Sequence, residues 1–247
     1  MNLTNNTVLI SGGSAGIGFE IAKLLTEKGN HVIITGRDQA RLDAAAARLN
    51  NVTAILFDVT KEEEVDQLIS NLKLEFPNLN ILINNAGYAY YYDILSEERA
   101  WEKAEEEMQT NYFSLMRLTQ KLLPQLRAQE TAALVNVSSI VAFAPGLRIP
   151  TYSVSKAAVH SYTQVIRLAL EETSVKVFEL MPPLVNTDFS KEIGGENGIS
   201  PVQVAEDLIN AFENDIYEIH VGATAQVYEL LRNSPESALA AVNSREV

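Results

Sequence analysis

The stretch VLISGGSAGIGFEIAKLL, residues 8–25, joins a β-branched run to an amphipathic helical pattern through glycines 12, 13, 16 and 18. Glycine turns tightly and lets backbone approach an anion with no Cβ in the way. The helix that follows points its N-terminal amides at that anion. The first strand-helix junction of an open α/β sheet is where dinucleotide pyrophosphates bind. Gly12, Gly16 and Gly18, with Ser14 and Ile17 between them, are therefore candidate cofactor contacts. A glycine-rich turn holding no ligand is the alternative, and the position in the chain argues against it. The spacing G-x-x-x-G-x-G differs from G-x-G-x-x-G and points to a particular branch of these folds.

Outward from this junction, short β-branched runs alternate with longer amphipathic stretches. VLIS (8–11), HVIITG (31–36), VTAILFDV (52–59), NILINNAG (80–87), ALVNVSS (133–139), VKVFEL (175–180) and YEIHVG (217–222) read as strands. Most are continuously apolar, as expected for strands buried on both faces of a parallel sheet. Helical patterns fill 17–29, 38–50, 61–76, the long region 97–129, 155–173 and 201–214. Gly29 stands where a helix stop is wanted. Thr60 and Ser200 stand where helix starts are wanted, the latter followed by Pro201. The alternation predicts an α/β fold: a doubly wound parallel sheet with helices on both faces. No linker, internal repeat or low-complexity tract interrupts it, so 1–247 reads as a single domain. Residues 186–199 and 223–247 carry the weakest patterns.

The chain has 247 residues and an apolar fraction of 47%, enough to bury one good core. It has no cysteine, which excludes disulfides and thiolate metal sites. His31, His160 and His220 are too scattered in sequence to read as a metal cluster, so no metal is expected. The net charge of −13 repels phosphate backbones, and nucleic acid is not an expected partner. The start, MNLTNNTVLI, has no basic segment followed by an apolar one. No apolar run approaches the roughly 18 residues of a spanning helix. The expectation is a soluble, cytoplasmic protein without a membrane span. The acidic run EKAEEE at 102–107 reads as a solvated helix face.

The second strand ends ITGRD. In NAD-selective sheets an acid at that end bonds the ribose 2′-hydroxyl. Here Gly36 takes the acid position and Arg37 follows. A guanidinium suits a 2′-phosphate through paired hydrogen bonds, so NADP(H) is favoured over NAD(H). Arg41 lies one turn on. The competing reading has Asp38 on the ribose and Arg37 as a surface charge.

With SGGSAGIG, NNAG at 84–87 and YSVSK at 152–156 in this order and spacing, the chain resembles the short-chain dehydrogenase/reductase family over essentially its whole length. The resemblance implies a Rossmann fold and a nicotinamide cofactor. It makes Gly12, Gly16 and Gly18 the cofactor glycines, with Ser11 where threonine is usual. It places Asp58 and Val59 on the adenine ring. It gives Asn85, Ala86 and Gly87 to the adenosine side. Residue 15 is alanine where many NADP-using relatives carry a basic residue, which leaves Arg37 nearly alone as phosphate clamp. MPPLVNTDF resembles the P-G-x-V-x-T segment that meets the nicotinamide carboxamide through Pro182, Val185 and Thr187, with Pro183 in place of the glycine. Proline removes an N–H and fixes φ there.

The resemblance also assigns catalysis to Asn111, Ser139, Tyr152 and Lys156. Residues i and i+4 share one helix face, so Tyr152 and Lys156 point the same way. An ammonium about 5 Å away lowers a phenol's pKa by roughly 2 units at an effective dielectric near 20. Tyr152 then serves as general acid-base. Ser139 bonds the carbonyl oxygen as charge develops. Lys156 tunes the phenol and holds the nicotinamide ribose. Asn111, near the start of the long helix, anchors a water that passes protons to Lys156.

The expected reaction interconverts a carbonyl and an alcohol by hydride transfer. A cofactor-binding sensor without turnover is the alternative, and the intact set of four residues argues against it. An epimerase or dehydratase with transient hydride transfer is a third reading, for which the chain is short. The substrate site is expected from loops 88–96, 140–150 and 183–200, and the substrate as a small or moderately apolar carbonyl compound. The tyrosines of YAYYYDIL (88–95) fit a pocket wall or a subunit contact equally well. The resemblance suggests a homodimer or homotetramer built on the helices around 111–129 and 152–172. The layout also looks like a subgroup of oxidoreductases associated with D-alanyl transfer to teichoic acid.

Overall fold

The seven expected strands form one parallel sheet in the computed structural model, which describes residues 1–243. They are β1 (Thr7–Ser11), β2 (His31–Gly36), β3 (Val52–Leu56), β4 (Leu79–Asn84), β5 (Ala132–Val137), β6 (Val175–Met181) and β7 (Glu218–His220). Their order is β3-β2-β1-β4-β5-β6-β7, and every neighbouring pair is parallel. The order reverses direction between β1 and β4. A crevice at the carboxyl ends of those strands follows from this reversal.

Period-two alternation along the central strands gives each face its own core. Val8 and Ile10 of β1 pack on one side with α1 (Gly16–Glu27), α2 (Gln39–Ala46) and α7 (Pro201–Asn214) through Phe19, Leu42 and Phe212. Leu9 packs on the other side with α3 (Glu62–Glu75) and α5 (Ser114–Arg127) through Leu68, Leu72 and Leu122. The flank of α6 (Pro150–Ala169) closes that second layer. Each fully buried Leu or Ile contributes about 1.5–3 kcal/mol of transfer free energy. Continuous apolar strands were the right signal for the central strands, where neither face meets water.

Helix boundaries follow local chemistry. Gly29 takes φ +83° just past α1, and Ser200 caps α7 by accepting from the Val202 N–H. Thr60 does not cap α3. Its N–H and hydroxyl both bond Asp58 Oδ1, at 2.9 and 2.7 Å, and the helix starts after Lys61. The helix carrying YSVSK begins at Pro150 rather than 155. The long region 97–129 is α4 (Ala100–Met108), a π-helical turn at Gln109–Phe113, and α5. Residues without a sequence pattern also fold: α8 (Ala223–Asn233) and α9 (Pro235–Asn243) follow β7. Among the described residues no helix is long and apolar enough to cross a membrane. Residues 244–247 of the 223–247 segment lie outside the described range.

Asn30 ties the amino-terminal edge together. Its fully buried amide accepts from Asn6 N (3.0 Å) and Nδ2 (2.9 Å) and donates to Leu3 O (2.7 Å) and Leu25 O (2.8 Å). Asn30→Ala leaves the Asn6 N–H and the Leu3 carbonyl without these partners, and we expect it to lower the unfolding free energy by about 2–4 kcal/mol. Urea unfolding of the two proteins measures the difference.

Candidate active site

The carboxyl ends of β1, β4, β5 and β6 open into one cleft of about 1810 Å³. Its floor is the glycine turn. Gly12 and Gly16 adopt φ +69° and +56°, in the left-handed region. A Cβ on Gly12 would come within 3.0 Å of Ala86 Cα. Gly18 does not line the cleft. It seats α1 against β1, where a Cβ would stand 2.4 Å from the Gly12 carbonyl oxygen and 2.5 Å from Asn85 Nδ2. Ser14 and Ile17 line the cleft beside Gly12 and Gly16.

The end of β4 is fastened to this turn. Ser11 Oγ accepts from Asn85 N and Ala86 N, both at 3.1 Å, so a serine suffices where threonine is usual. Asn85 Nδ2 donates to Gly12 O (2.9 Å) and Ser11 O (3.1 Å). Asn84 points into the sheet and donates to Asn136 Oδ1 and Thr119 Oγ1, each at 2.9 Å. Asn85, Ala86 and Gly87 all face the cleft, as do Asp58 and Val59 past β3.

At the end of β2, a side chain at Gly36 would press on Ser14 Oγ at 3.3 Å. The carboxylate of Asp38 caps α2, accepting from Arg41 N at 3.0 Å. Arg37 lines the cleft and its charge reaches Asp58. Arg41 crosses the mouth to Asp188 at 3.2 Å.

The segment after β6 lies over the same turn. Pro182, Val185 and Thr187 line the cleft, and the Thr187 methyl sits 3.1 Å from where a Gly16 Cβ would be. Pro183 does not derail this path. Asn186 N donates to Ile199 O (2.8 Å) and Ile199 N to Leu184 O (3.0 Å), which pins both ends of the loop. Ser190 then donates to the Val185 carbonyl. The Phe189 ring packs on Tyr152 with centroids 5.8 Å apart.

Ser139, Tyr152 and Lys156 converge on the deep end. Ser139 caps a short 3-10 turn at Ile140–Ala142, and its hydroxyl is close enough to the Tyr152 hydroxyl to lower the phenol's pKa. Lys156 Nζ donates to Val137 O at 2.8 Å and lies 5.5 Å from the Tyr152 ring centroid. The amine is where the spacing predicts, but the groups of the chain together leave the phenol's pKa above its ordinary value. Burial pushes its pKa up, the nearby Glu107 charge pushes it further, and the Ser139 hydroxyl offsets only part. Burial also pulls Lys156 down to about 8, with Glu179 acting in the opposite sense.

Asn111 is placed differently from expectation. It sits in the π turn, mid-helix, fully buried and behind the cleft wall. Its Oδ1 accepts from Tyr88 N (2.7 Å), and its Nδ2 donates to Tyr88 O and Ser155 Oγ, both at 2.8 Å. A π turn swings one residue out of the helical register, which is why such turns recur at functional sites. The space a Gly87 side chain would fill lies 3.5 Å from Asn111 Oδ1 and 3.7 Å from Lys156 Nζ.

Sequence reasoning missed three features. Glu107, expected in a solvated face, is fully buried and accepts from Tyr90 N at 2.7 Å; burial raises its pKa. The tyrosine run splits: Tyr91 and Tyr92 line the cleft, whereas Tyr88 and Tyr90 pack edge-on to each other. The carboxyl-terminal helices supply a wall through Val227, Val242 and Asn243. Asn243 accepts from Leu147 N (2.7 Å) and donates to Pro145 O (2.8 Å), fixing the loop before Tyr152. SPES at 234–237 carries a helix-start signal that marks α9 in the sequence.

The profile of the family described as short chain dehydrogenase matches residues 6–198, and the chain belongs to that family. Its sequence is 37% identical to the uncharacterized oxidoreductase DltE of Bacillus subtilis, over 95% of this chain and 93% of that one. Among solved structures, a short-chain dehydrogenase from Sphingobium yanoikuyae in complex with NADPH is 28% identical, with a TM-score of 0.80. The match covers 94% of this chain and 95% of that one. A short-chain dehydrogenase/reductase from Burkholderia phymatum in complex with NAD shares the fold at a TM-score of 0.87 and 18% identity, over 100% and 99% of the two chains. The protein is thus an oxidoreductase of the NAD(P)-dependent kind, and the side-chain-free cradle at Gly12 and Gly16 fits a dinucleotide.

A buried ammonium costs stability as long as it is charged. Lys156→Met removes it at similar length and gives up the Val137 bond and the attraction to Glu179. The shift of Lys156 from 10.5 to about 8 corresponds to about 3 kcal/mol, the lost hydrogen bond takes back about 1, and we expect the variant to gain about 2 kcal/mol of unfolding free energy at neutral pH. The native amine binds fewer protons than the unfolded one between those values. The gain is therefore full below about 8 and fades as pH rises towards 10.5. Chemical denaturation as a function of pH measures it.

Proposed function

We propose that the protein reversibly reduces a carbonyl compound to an alcohol with NADP(H) as the preferred cofactor. The observation that carries this reading is the convergence of Ser139, Tyr152 and Lys156 at the deep end of a cleft floored by glycines. A nicotinamide cofactor, when bound, would supply the hydride in reduction and take it up in oxidation. The chain's residues manage the oxygen and its proton. Ser139 donates a hydrogen bond to the carbonyl oxygen, which gains negative charge as the carbon is reduced. Tyr152 gives its proton to that oxygen. A phenol whose pKa is raised is fully protonated at neutral pH, and an alkoxide is a stronger base than the phenolate left behind. Lys156, charged below about 8, stabilises that phenolate. Asn111 Oδ1 and Lys156 Nζ both lie within 4 Å of the point a Gly87 Cβ would occupy, and a water bridging the two would return the proton.

NADP(H) preference rests on the end of β2. Gly36 leaves no carboxylate there, and Asp38 is committed to its helix cap. Arg37 faces the cleft, and the 2′-phosphate competes with Asp188 for Arg41. We read 1–247 as one dinucleotide-binding domain with its substrate site in loops 88–96, 140–150 and 183–200, to which the carboxyl-terminal helices add. The apolar faces of Tyr91, Leu147 and Phe189 suit a small, moderately apolar substrate. Exposed Phe113, Met116, Val165 and Leu168 on α5, α6 and the turn between α4 and α5 support assembly into a homodimer or homotetramer.

Tyr152→Phe is expected to bind NADPH as the parent protein does and to lose about 10²–10⁴-fold in kcat on a panel of carbonyl compounds. Retained turnover removes the phenol from the mechanism. Arg37→Ala is expected to raise KM for NADPH about 10- to 100-fold while leaving KM for NADH nearly unchanged. Equal effects on the two cofactors, read from steady-state kinetics, overturn the preference.

A further inference from the structure

A fully buried carboxylate lies on β6, beside the strand end that leads to Ser139. Glu179, in the middle of β6, is fully inaccessible to solvent. Ser138 Oγ donates to its Oε1 at 2.5 Å. His160 Nδ1 lies 2.9 and 3.0 Å from its two oxygens. Ser138 directly precedes Ser139. His160 follows Lys156 by one turn of α6, so both side chains reach down onto the same pair of strands. Lys156 grips Val137 O on β5, and His160 grips Glu179 on the neighbouring β6. The imidazole thus bonds the carboxylate directly, and the ammonium is anchored at Val137, the residue after Asn136, which is the register partner of Glu179 on the neighbouring strand.

A buried anion is costly unless charges and hydrogen bonds surround it. The surrounding groups limit what can balance it. On α6, Arg167 faces the network, but its guanidinium is paired with Glu218 of β7 at 3.0 Å. His220 of β7 stacks on Tyr228 of α8, and burial holds its imidazole neutral against Glu218, Glu179 and Glu229. Phe143 packs edge-on against His160, His220 and Tyr228 and closes the cluster. Two titrating partners therefore remain for Glu179: His160, whose pKa the hydrogen bond raises against the effect of burial, and Lys156.

We propose that Glu179 is a positioning residue that acts through Lys156: its carboxylate is the buried counter-charge that keeps the amine protonated at neutral pH, and His160 shares that charge. When His160 is protonated it neutralises the carboxylate from the far side. As pH rises through the His160 titration, the full negative charge falls on Lys156 and holds its proton where burial alone would release it. The proposal rests on Lys156 being the partner of Tyr152, but its test needs no turnover.

The test is an NMR titration of the lysine side chains in protein labelled with ¹³C,¹⁵N-lysine, with Lys156 assigned through Lys156→Arg. Glu179→Gln keeps the shape and an acceptor oxygen. It is expected to lower the Lys156 midpoint, about 8 in the parent, by about one pH unit. His160→Arg places a permanent cation on the carboxylate and is expected to lower it similarly, whereas neutral His160→Gln leaves it in place. A Glu179→Gln protein that is folded by circular dichroism and shows an unmoved midpoint overturns the proposal. If that variant does not fold, the His160 pair decides, and equal midpoints in His160→Arg and His160→Gln overturn it. Inactivity of the parent protein towards every carbonyl tested would sink the reductase reading and leave these midpoints as they are.

Discussion

A primary amine held against the Val137 carbonyl and almost wholly buried is the constraint around which this cleft is arranged. Burial works against the charge on Lys156, and only contacts fixed by the fold keep that charge in place. Strand order supplies them. β5 lies between β4 and β6, so one helix turn of α6 spans the Val137 carbonyl and the Glu179 carboxylate, while Gly87 at the end of β4 leaves room above the amine. Ser139 and Tyr152 take their positions from the same strand end and the same helix.

The site concentrates groups that cost stability. Lys156 and Tyr152 are both displaced by burial towards their neutral forms. Glu107 is buried with no hydrogen-bond partner for its Oε2 among the described residues. The glycine turn spends two left-handed residues where a Cβ would collide with Ala86 or crowd Thr187. Proteins tolerate such local expense where function requires it and offset it in the core. Here the offset comes from two continuous apolar layers on either side of the sheet.

Residue patterns carried much of this. All seven strands were legible because parallel strands buried on both faces are continuously apolar, and the glycine turn because few residues tolerate its backbone. Ser11, Asn85 and Ser200 behave as their chemistry suggests. Other features were hidden for physical reasons. Glu107 looks like its solvated neighbours in EKAEEE, because one residue's burial depends on where a distant loop settles. Asn111 seemed to lie near a helix start because a π turn has no signature in composition. The acidifying effect of Lys156 on Tyr152 was overestimated because desolvation acts on both groups, and sequence spacing does not report it.

The sequence by itself determined the class of sheet, the place of the dinucleotide turn and the pairing of Tyr152 with Lys156 on one helix face. These depend on local periodicity and on residue types that act where they stand. Only the tertiary structure decided that Arg41 reaches Asp188, that Asn243 braces the loop before Tyr152, and that Glu179 and His160 lie behind the lysine. Each of those contacts joins residues from different elements. Burial and charge at such points are properties of the packed chain, set by which surfaces come together and not by any one stretch of it.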